Sequence, residues 1–325
     1  MSLNVRAFTS CDHHIWDAFC QGALQATLLH TRSFLSYHGD RFTDQSLVVE
    51  EDGKCVGLFP AAVSPQDSNT IVSHPGITYG GVLHQGALQG EKMLTAMSKI
   101  GLHYKQMGYS RLIYKAVPSI YHRAPAEDDL YALYRLGYHK FRCDLSSTID
   151  LENRLQVSER RRRSFKKASK FGIQIVEGGG QLEIFWNLLE RNLKNKHGVK
   201  PVHDIREIVL LSEKFPDNIR CIVAKLNDEI LAGIILFITN TAYHAQYIST
   251  NEKGNMVSAM DKVVEYSISA AIQENKRWFD FGISNENDGQ YLNNGLYRYK
   301  CEFGGGGIIH EFYMSDLKGN NLNDN

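Results

Sequence analysis

Two stretches near the C-terminal end of the sequence combine residue types that could perform chemistry. Residues 278–284 alternate large apolar side chains with Asp280, which is the period of a strand with one buried face. Residues 295–304 form a short helical pattern that contains Lys300. An acid near a strand end that faces a cationic helix would form a docking place for a polar ligand. A buried strand followed by a solvated lysine fits the same residues, so both interpretations stay open.

The elements that would position these residues are marked in the sequence. The segment 285–294 is rich in Asn, Asp and Gly and ends the strand. Asn294 is placed to cap the helix that follows, and Gly304 is placed to end it. Lys300 and Tyr297 share a stripe of this helix that can face the loop after the strand.

The order of elements occurs twice along the chain. Two hairpin signals, at Asp52-Gly53 and at Asn227-Asp228, are each followed by strand, helix, strand, helix and strand patterns. The helix that begins at Met256 repeats the sequence that begins at Met93 nearly residue for residue. So long a period predicts two similar domains rather than a solenoid. We place these domains at 1–150 and 151–317, followed by a disordered tail at 318–325.

The two copies differ in their polar residues. When their last helices are aligned, Lys300 corresponds to Leu133, and residues 111–114 carry no acid at the position of Asp280. We therefore expect the chemistry in the second domain, with the first domain as its support.

Composition narrows the class of protein. The 36 basic residues balance the 36 acidic ones, so affinity for a polyanion must be local. Six cysteines without a C-x-x-C pair indicate thiols in a reducing compartment. No signal-peptide segment or apolar run of membrane-spanning length is present, so we expect a cytoplasmic protein without a membrane span. Motifs typical of nucleotide hydrolysis, dinucleotide binding, α/β-hydrolases and metal binding are absent, and we expect no metal.

A basic run, residues 160–170, joins the two halves. It follows a predicted N-cap at Ser158, and one face of the predicted helix is lined by Arg160, Arg163, Lys167 and Lys170. A solvated helix between domains explains such a run. An anion site for phosphate or carboxylate is the alternative, because guanidinium groups pair with these anions in bidentate fashion.

Both halves resemble the GNAT acyltransferase fold, and the second half resembles its Fem-type branch, related to FemA, FemB and FemX. Four motifs carry the resemblance: Arg163-x-x-Lys-Lys-Ala-x-Lys-x-Gly172, Ala232-Gly233, Phe279-Asp-Phe-Gly-Ile-Ser284 and Gly295-Leu-x-x-Tyr-Lys300-x-x-Phe-Gly304. The first half matches loosely, through its hairpin and the segment 73–81. The resemblance implies an α+β fold of two tandem GNAT-like domains, each a mixed, mostly antiparallel sheet flanked by helices.

The resemblance also implies N-acyl transfer from an activated donor to an amine, and places Lys300 in the donor channel. The usual Gly-rich pyrophosphate loop is replaced here by residues 250–258, although the helix that follows could bind phosphate at its N-terminus. With acyl-CoA as donor, the predicted donor-binding residues are Tyr247, Ser249, Thr250, Lys253, Gly254, Asn255, Ser258 and Ser284. The predicted acceptor-binding residues are Arg163, Lys167, Tyr79 and His197.

The chemistry of acyl transfer suggests acid–base roles for several side chains. The attacking amine is mostly protonated at neutral pH, so a base must remove its proton, and we name Asp280 first and His244 second. Tyr297 or Tyr299 could protonate the leaving group, and Lys300 could neutralise donor or acceptor charge. Backbone N–H groups near residues 247–250 could stabilise the oxyanion.

Three functions remain open. The first is acyl-CoA-dependent transfer to a small-molecule or cell-envelope precursor, favoured by the lack of net positive charge. The second is peptidyl transfer from charged tRNA to a cell-wall precursor, favoured by the missing pyrophosphate loop. The third is a non-catalytic protein that binds an anionic ligand, and the presence of Asp280, Tyr299 and Lys300 in the second copy argues against it.

Overall fold

The computed structural model describes residues 3–318, apart from the side chains of residues 196 and 197. Contacts divide the chain into two compact units. The first contains residues 3–144 and 309–318, and the second contains residues 145–308. The predicted tail lies outside the described residues, apart from Lys318.

The first unit begins the chain, and its elements include five consecutive short strands between the earlier and the later helices. They are β1 Leu3–Ala7, α1 His13–Gly22, α2 Arg32–Leu35, β2 Leu47–Glu51, β3 Lys54–Phe59, β4 Ala62–Val63, β5 Thr70–Val72, β6 Leu83–His84, α3 Glu91–Gln106, β7 Arg111–Lys115, α4 Asp128–Arg135 and β8 His139–Asp150.

The remaining elements repeat this order. They are α5 Glu159–Ala168, β9 Gln174–Glu177, α6 Leu182–His197, α7 Ile205–Lys214, β10 Ile219–Leu226, β11 Glu229–Ile238, β12 Ala242–Thr250, α8 Glu252–Val257, α9 Ala259–Gln273, β13 Trp278–Ile283, β14 Asn285–Glu286, β15 Tyr291–Leu292, α10 Asn294–Cys301 and β16 Gly306–Asp316. The boundaries between the units fall inside β8 and β16, at 144/145 and 308/309. Our boundary at 150/151 missed this division, because no loop sequence marks a crossing within a strand.

The core of the first unit lies between its strands and α3. Strands β1, β2, β3 and β6 form one antiparallel group, and β4, β5, β7 and β16 pair in that order, with β5 parallel to β7. Met93, Met97 and Ile100 of α3 are fully buried in this core. Their spacing is that of one helix face, which explains why the sequence folds as a helix here.

In the second unit, β9 to β13 and the end of β8 form a mixed sheet in the order β8, β13, β12, β11, β10, β9. Only β12 and β13 are parallel, so the sheet is mostly antiparallel, as predicted. The face formed by Ala232, Ile234 and Leu236 packs in a core shared with α9, and α6 packs against the opposite face. Gly233 lies on the α6 side, where a β-carbon would come within 2.5 Å of the Phe185 ring.

Local turn and cap signals are confirmed with one correction. The β2–β3 and β10–β11 hairpins turn at Asp52-Gly53 and Asn227-Asp228, whose φ angles are all positive, as this type of tight turn requires. Ser158 caps α5 through a hydrogen bond from Arg161 N. The cap of α10 is Asn293 rather than Asn294, and its side chain accepts a hydrogen bond from Leu296 N at 3.0 Å.

Candidate active site

The parallel strands β12 and β13 separate partway along their length. Their register runs from Ala242–Trp278 to His244–Asp280. Just beyond this pair, β12 has a bulge at Gln246, where its register with β11 shifts, and β13 shifts its register with β8 between Asp280 and Ile283. A bulge bends the strand that contains it, so two bulges at one level open the sheet there.

The last residue pair before the split joins a histidine to an acid. His244 Nδ1 lies 2.7 Å from Asp280 Oδ2. The other carboxylate oxygen, Oδ1, accepts hydrogen bonds from Ser146 Oγ, from Thr148 Oγ1 at 2.8 Å and from Gly282 N at 3.1 Å. Asp280 is fully buried, whereas 16% of the His244 side chain is exposed. Asp280 is thus held behind His244, in a position to orient the imidazole.

Gly282 keeps the space beside this histidine. Its φ is +75°, a conformation that side chains rarely adopt, and a β-carbon there would lie 3.3 Å from His244 Cε1. The glycine is therefore needed both for the bend of β13 and for the position of the imidazole.

Lys300 holds the bent end of β13. Its ammonium donates to the carbonyl oxygens of Gly282 at 2.9 Å and Ile283 at 2.7 Å, and the residue is only 6% exposed. Burial lowers the pKa of Lys300 to about 8, although the nearby charge of Asp280 opposes this shift. Lys300 is thus bonded to the backbone at the end of β13 itself, and it is not among the residues that line the cleft described next.

A cleft of about 590 Å³ opens farther along β12. Its walls come from the end of β12, from α5, α6 and α10, and from the segment that joins β12 to α9. It is lined by Arg160, Arg161, Ser164, Leu189, Asn192, Leu193, Ile248, Ser249, Thr250, Gly254, Asn255, Ser258, Met260, Asp261, Leu296 and Tyr299. His244 lies on the same strand, four residues before Ile248, which corresponds to roughly 13 Å along a β-strand.

A buried ion cluster forms one wall of the cleft. Arg161 Nη1 lies 2.6 Å from Asp261 Oδ1, and Arg161 Nε lies 3.1 Å from Glu302 Oε2. The guanidinium also lies 4.7 Å from the centre of the Tyr299 ring. Burial raises the pKa of Asp261, and the charge of Arg161 opposes that rise. The cluster ties α5 to α9 and α10, and it leaves Arg160, 70% exposed, as the more accessible cation.

The segment in place of the Gly-rich loop forms a helix of its own, α8. Asn251 caps it by accepting a hydrogen bond from Gly254 N at 2.7 Å. A side chain on Gly254 would collide with Leu231 O and Thr250 Oγ1, so this glycine serves the packing of α8 on β11. Lys253 pairs with Glu229 at 2.6 Å on the surface.

The structure brings together five of the eight predicted donor-binding residues. Ser249, Thr250, Gly254, Asn255 and Ser258 all line the cleft. The three outside its lining are Tyr247, Lys253 and Ser284. The Tyr247 hydroxyl oxygen lies 2.6 Å from His203 Nδ1. Ser284 is buried directly after the last residue of β13.

The other predicted residues divide in the same way. Tyr299 lines the cleft, and burial raises its pKa, whereas Tyr297 lies beside Cys301. Arg163 and Lys167 are exposed on α5 and are not among the lining residues. Tyr79 is buried in the first unit against Tyr121. The side chain of His197 lies outside the described part of the chain.

Sequence reasoning missed several partners. Ser146 and Thr148 come from β8, about 130 residues before Asp280, and Asn192 comes from α6. Asn192 Nδ2 donates to Ser249 Oγ at 2.7 Å and to Thr250 O at 2.8 Å. No local pattern marks these polar residues, because strand register and helix packing alone bring them to the site.

The matching split in the first unit is filled by its own chain. Strands β5 and β7 pair as far as Val72 and Ile113. Ser73 N then donates to Ile113 O at 2.9 Å, Ser73 Oγ accepts from Lys115 N at 2.8 Å, and Gly80 N donates to Lys115 O at 2.9 Å. A side chain on Gly80 would collide with Ser73 O. This filling supports a site in the second unit.

Two features that the described residues lack bear on the class of site. No three His, Cys, Asp or Glu side chains in the described part are grouped as metal ligands would be. No helix within residues 3–318 combines the length and the apolar character needed to cross a bilayer.

Comparison with known proteins defines the class. Residues 152–300 match the acetyltransferase (GNAT) domain family. Among solved structures, FemX is 12% identical with a TM-score of 0.68, and 96% of each chain is covered. L-PGS from Bacillus licheniformis is 13% identical with a TM-score of 0.59, over 86% of this chain and 85% of that one. A tandem GNAT protein from the clavulanic acid biosynthesis pathway is 11% identical with a TM-score of 0.53, over 97% and 99%. No curated protein matches the chain.

The second unit therefore contains a GNAT acetyltransferase domain, which supports an acyltransferase, and the chain has the tandem GNAT fold. This confirms the predicted superfamily and fold. The likeness to FemX across nearly the whole chain is consistent with the Fem-like branch.

Proposed function

We propose that the second unit transfers an acyl group from an acyl-CoA to the amine of a small-molecule or cell-envelope acceptor. The observation that carries this proposal is the hydrogen bond between His244 and Asp280 at the point where β12 and β13 separate. An imidazole that donates its Nδ1 proton to a carboxylate carries its lone pair on Nε2. His244 is then the base, and Asp280 is the residue that positions it.

The reaction follows from this arrangement. Nε2 of His244 takes a proton from the acceptor ammonium, and the neutral amine attacks the acyl carbon. The resulting oxyanion accepts hydrogen bonds from backbone N–H groups of β12 beyond the split, each contributing about 3 kcal/mol. As the C–S bond breaks, the nitrogen of the new amide loses its second proton, and the thiolate is protonated and leaves as free CoA thiol. Tyr299 is the candidate proton donor to the thiolate, since it lines the cleft.

The cleft supports a phosphate-bearing donor. Arg160 is exposed at its edge, and α9 begins within it. The N-cap of α9, Ser258, makes no capping hydrogen bond through its side chain. A helix of 15 residues with an uncapped start attracts anions, and a nearby guanidinium strengthens that attraction. Free thiols at all six cysteines support a cytoplasmic location.

A second candidate donor is the aminoacyl ester of a charged tRNA, delivered to a cell-envelope precursor. The observation that favours it is the Asn251 cap, which already occupies the Gly254 N–H where a GNAT pyrophosphate loop would offer its donors. Both donors present an activated acyl carbon to the same split, so His244 would have the same role with either.

Donor binding and turnover should be measured together. Thermal shift against acetyl-CoA, longer acyl-CoAs and charged tRNA identifies the donor, and amine-dependent release of CoA thiol or of uncharged tRNA reports transfer. Stabilisation by an acyl-CoA, with thiol release that His244→Ala abolishes, would support the first candidate. Stabilisation and transfer with charged tRNA alone would support the second. Transfer at an undiminished rate in His244→Ala would refute the assigned base.

A further inference from the structure

The exposed side of α5 carries an unneutralised cluster of cations, which we call the α5 basic face. It consists of Arg163, Lys166, Lys167 and, just past the helix end, Lys170, all of them exposed. Within the described residues, none of these four forms an ion pair. On the same helix Arg162 pairs with Glu159, and Arg160 lies 3.7 Å from Glu302. Four unpaired cations within eight positions create a strong local field in a chain whose net charge is zero.

The rest of α5 explains why this face is presented to the outside. Ala168 is fully buried, Phe165 packs against the core, and Arg161 is held by the ion cluster described above. These residues fix the rotation of the helix against α9. The basic face therefore stays turned toward solvent, at a repulsive cost that an anionic partner would relieve.

Large apolar side chains are exposed at both ends of this helix. Leu155, three residues before the N-cap, is 60% exposed, and Phe171, directly after Lys170, is 43% exposed. An exposed basic helix flanked by apolar side chains is the composition of a segment that lies on a membrane surface. The cations meet anionic headgroups, and the apolar side chains enter the layer beneath.

We propose that the α5 basic face, with Leu155 and Phe171, docks the protein on an anionic lipid surface. Because α5 also contributes Arg160, Arg161 and Ser164 to the cleft, docking would bring the cleft mouth close to the headgroup layer. An acceptor amine carried by an amphiphile would then be reached from that layer. Docking itself does not depend on which acyl donor the enzyme uses.

Nucleic acid is the competing partner for such a face. Single-stranded nucleic acids are bound by a cationic groove combined with stacked aromatic side chains. Here the only aromatic side chain beside the basic face in the described segment 155–171, apart from the core residue Phe165, is Phe171, and the opposite end of the helix carries the aliphatic Leu155. An aliphatic side chain gains nothing from phosphate or base contacts, whereas burial in a lipid layer removes it from water. This difference favours the lipid surface.

Vesicle co-sedimentation with the full chain tests the proposal. The probes are mixed phosphatidylglycerol–phosphatidylcholine vesicles and vesicles of phosphatidylcholine alone, at low and at high salt. The charge-reversal variant combines Arg163→Glu, Lys166→Glu, Lys167→Glu and Lys170→Glu. Its matched control makes the same change in charge on other exposed basic residues of the second unit, with Arg191→Glu, Lys194→Glu, Lys200→Glu and Arg206→Glu.

We expect binding to the anionic vesicles alone, weakened by salt. Each basic residue near an anionic surface contributes roughly fivefold in binding, so the charge-reversal variant should lose at least about 100-fold. The control should lose far less. Phe171→Ser, which keeps every charge, should lose about tenfold, because the lost burial of an aromatic ring is worth a similar free energy.

Three outcomes would overturn the proposal. Equal binding to neutral and anionic vesicles would show that charge does not drive binding. Equal losses of binding in the two quadruple variants would show that the α5 basic face is not the docking surface. Failure to bind anionic vesicles, together with RNA binding that the charge-reversal variant abolishes, would assign the face to nucleic acid. Circular dichroism and thermal melts of each variant establish that any loss occurs in folded protein.

Discussion

Replacing Asp280 by asparagine should inactivate the enzyme while leaving it folded. Oδ1 of Asp280 accepts hydrogen bonds from Ser146, Thr148 and Gly282 N. In Asp280→Asn the amide oxygen must take that place, because an NH₂ group there would face the Gly282 N–H. The amide NH₂ group then points at His244 Nδ1, which must accept a hydrogen bond. The imidazole proton then moves to Nε2, the nitrogen that must carry the basic lone pair. His244 therefore keeps its position but has the wrong tautomer.

The size of the effect follows from the role. General base catalysis contributes roughly 10²–10⁴-fold, so kcat/KM should fall about 10³-fold, equivalent to about 4 kcal/mol of transition-state stabilisation. The free energy of unfolding should fall by only about 1 kcal/mol, since every hydrogen bond to Asp280 keeps a partner. Asp280→Ala is the structural contrast. It removes the acceptor of the Ser146, Thr148 and Gly282 donors and of the Nδ1 proton of His244, and it should cost more than about 3 kcal/mol.

The assay is amine-dependent release of the donor's leaving group, measured as kcat/KM with a common acceptor and with an acceptor that is uncharged at the assay pH. The second acceptor arrives without the ammonium proton that His244 removes, so Asp280→Asn should lose much less activity with it. Urea unfolding of both variants measures the stability difference. Activity of Asp280→Asn within threefold of the parent enzyme on the ammonium acceptor, with normal unfolding, would refute the assigned tautomer and with it the role of His244.

Three further predictions test other parts of the site. The pKa of Lys300 is lowered from its unfolded value to about 8, so the unfolded chain binds more protons above that pH, and stability rises with pH. In urea titrations the unfolding free energy of the parent protein, relative to that of Lys300→Met, should rise by about 1 kcal/mol between about pH 7 and pH 9. A difference between the two proteins that does not change with pH would contradict the burial of the charge. Gly282→Ala should cost about 1–2 kcal/mol of stability, because φ at this position is positive. The new methyl group should also displace His244 and lower kcat more than tenfold. An unchanged kcat would show that the residue at position 282 does not confine the imidazole. Arg160→Gln should raise the KM for a phosphate-bearing donor about tenfold with kcat within twofold in steady-state assays, whereas an unchanged KM would place the phosphates elsewhere.

Much of the fold could be predicted from the sequence, because its signals are local. Asp52-Gly53 and Asn227-Asp228 turn the hairpins since their backbones accept positive φ, and the spacing of Met93, Met97 and Ile100 defines a helix face. The repeated order of these signals predicted two tandem copies. The absence of an acid in the first copy also pointed to the second one.

The site itself required tertiary structure. The sequence named Asp280 and His244 separately, 36 positions apart, and ranked the buried acid first as the base. Parallel register between β12 and β13 makes them neighbours, and burial of Asp280 beside the partly exposed His244 supports the proposal that the acid positions the base. The same applies to Lys300, whose ammonium bonds the backbone of β13. Turns and helix faces depend on neighbouring residues, whereas burial and cross-strand pairing depend on residues that only the folded chain brings together.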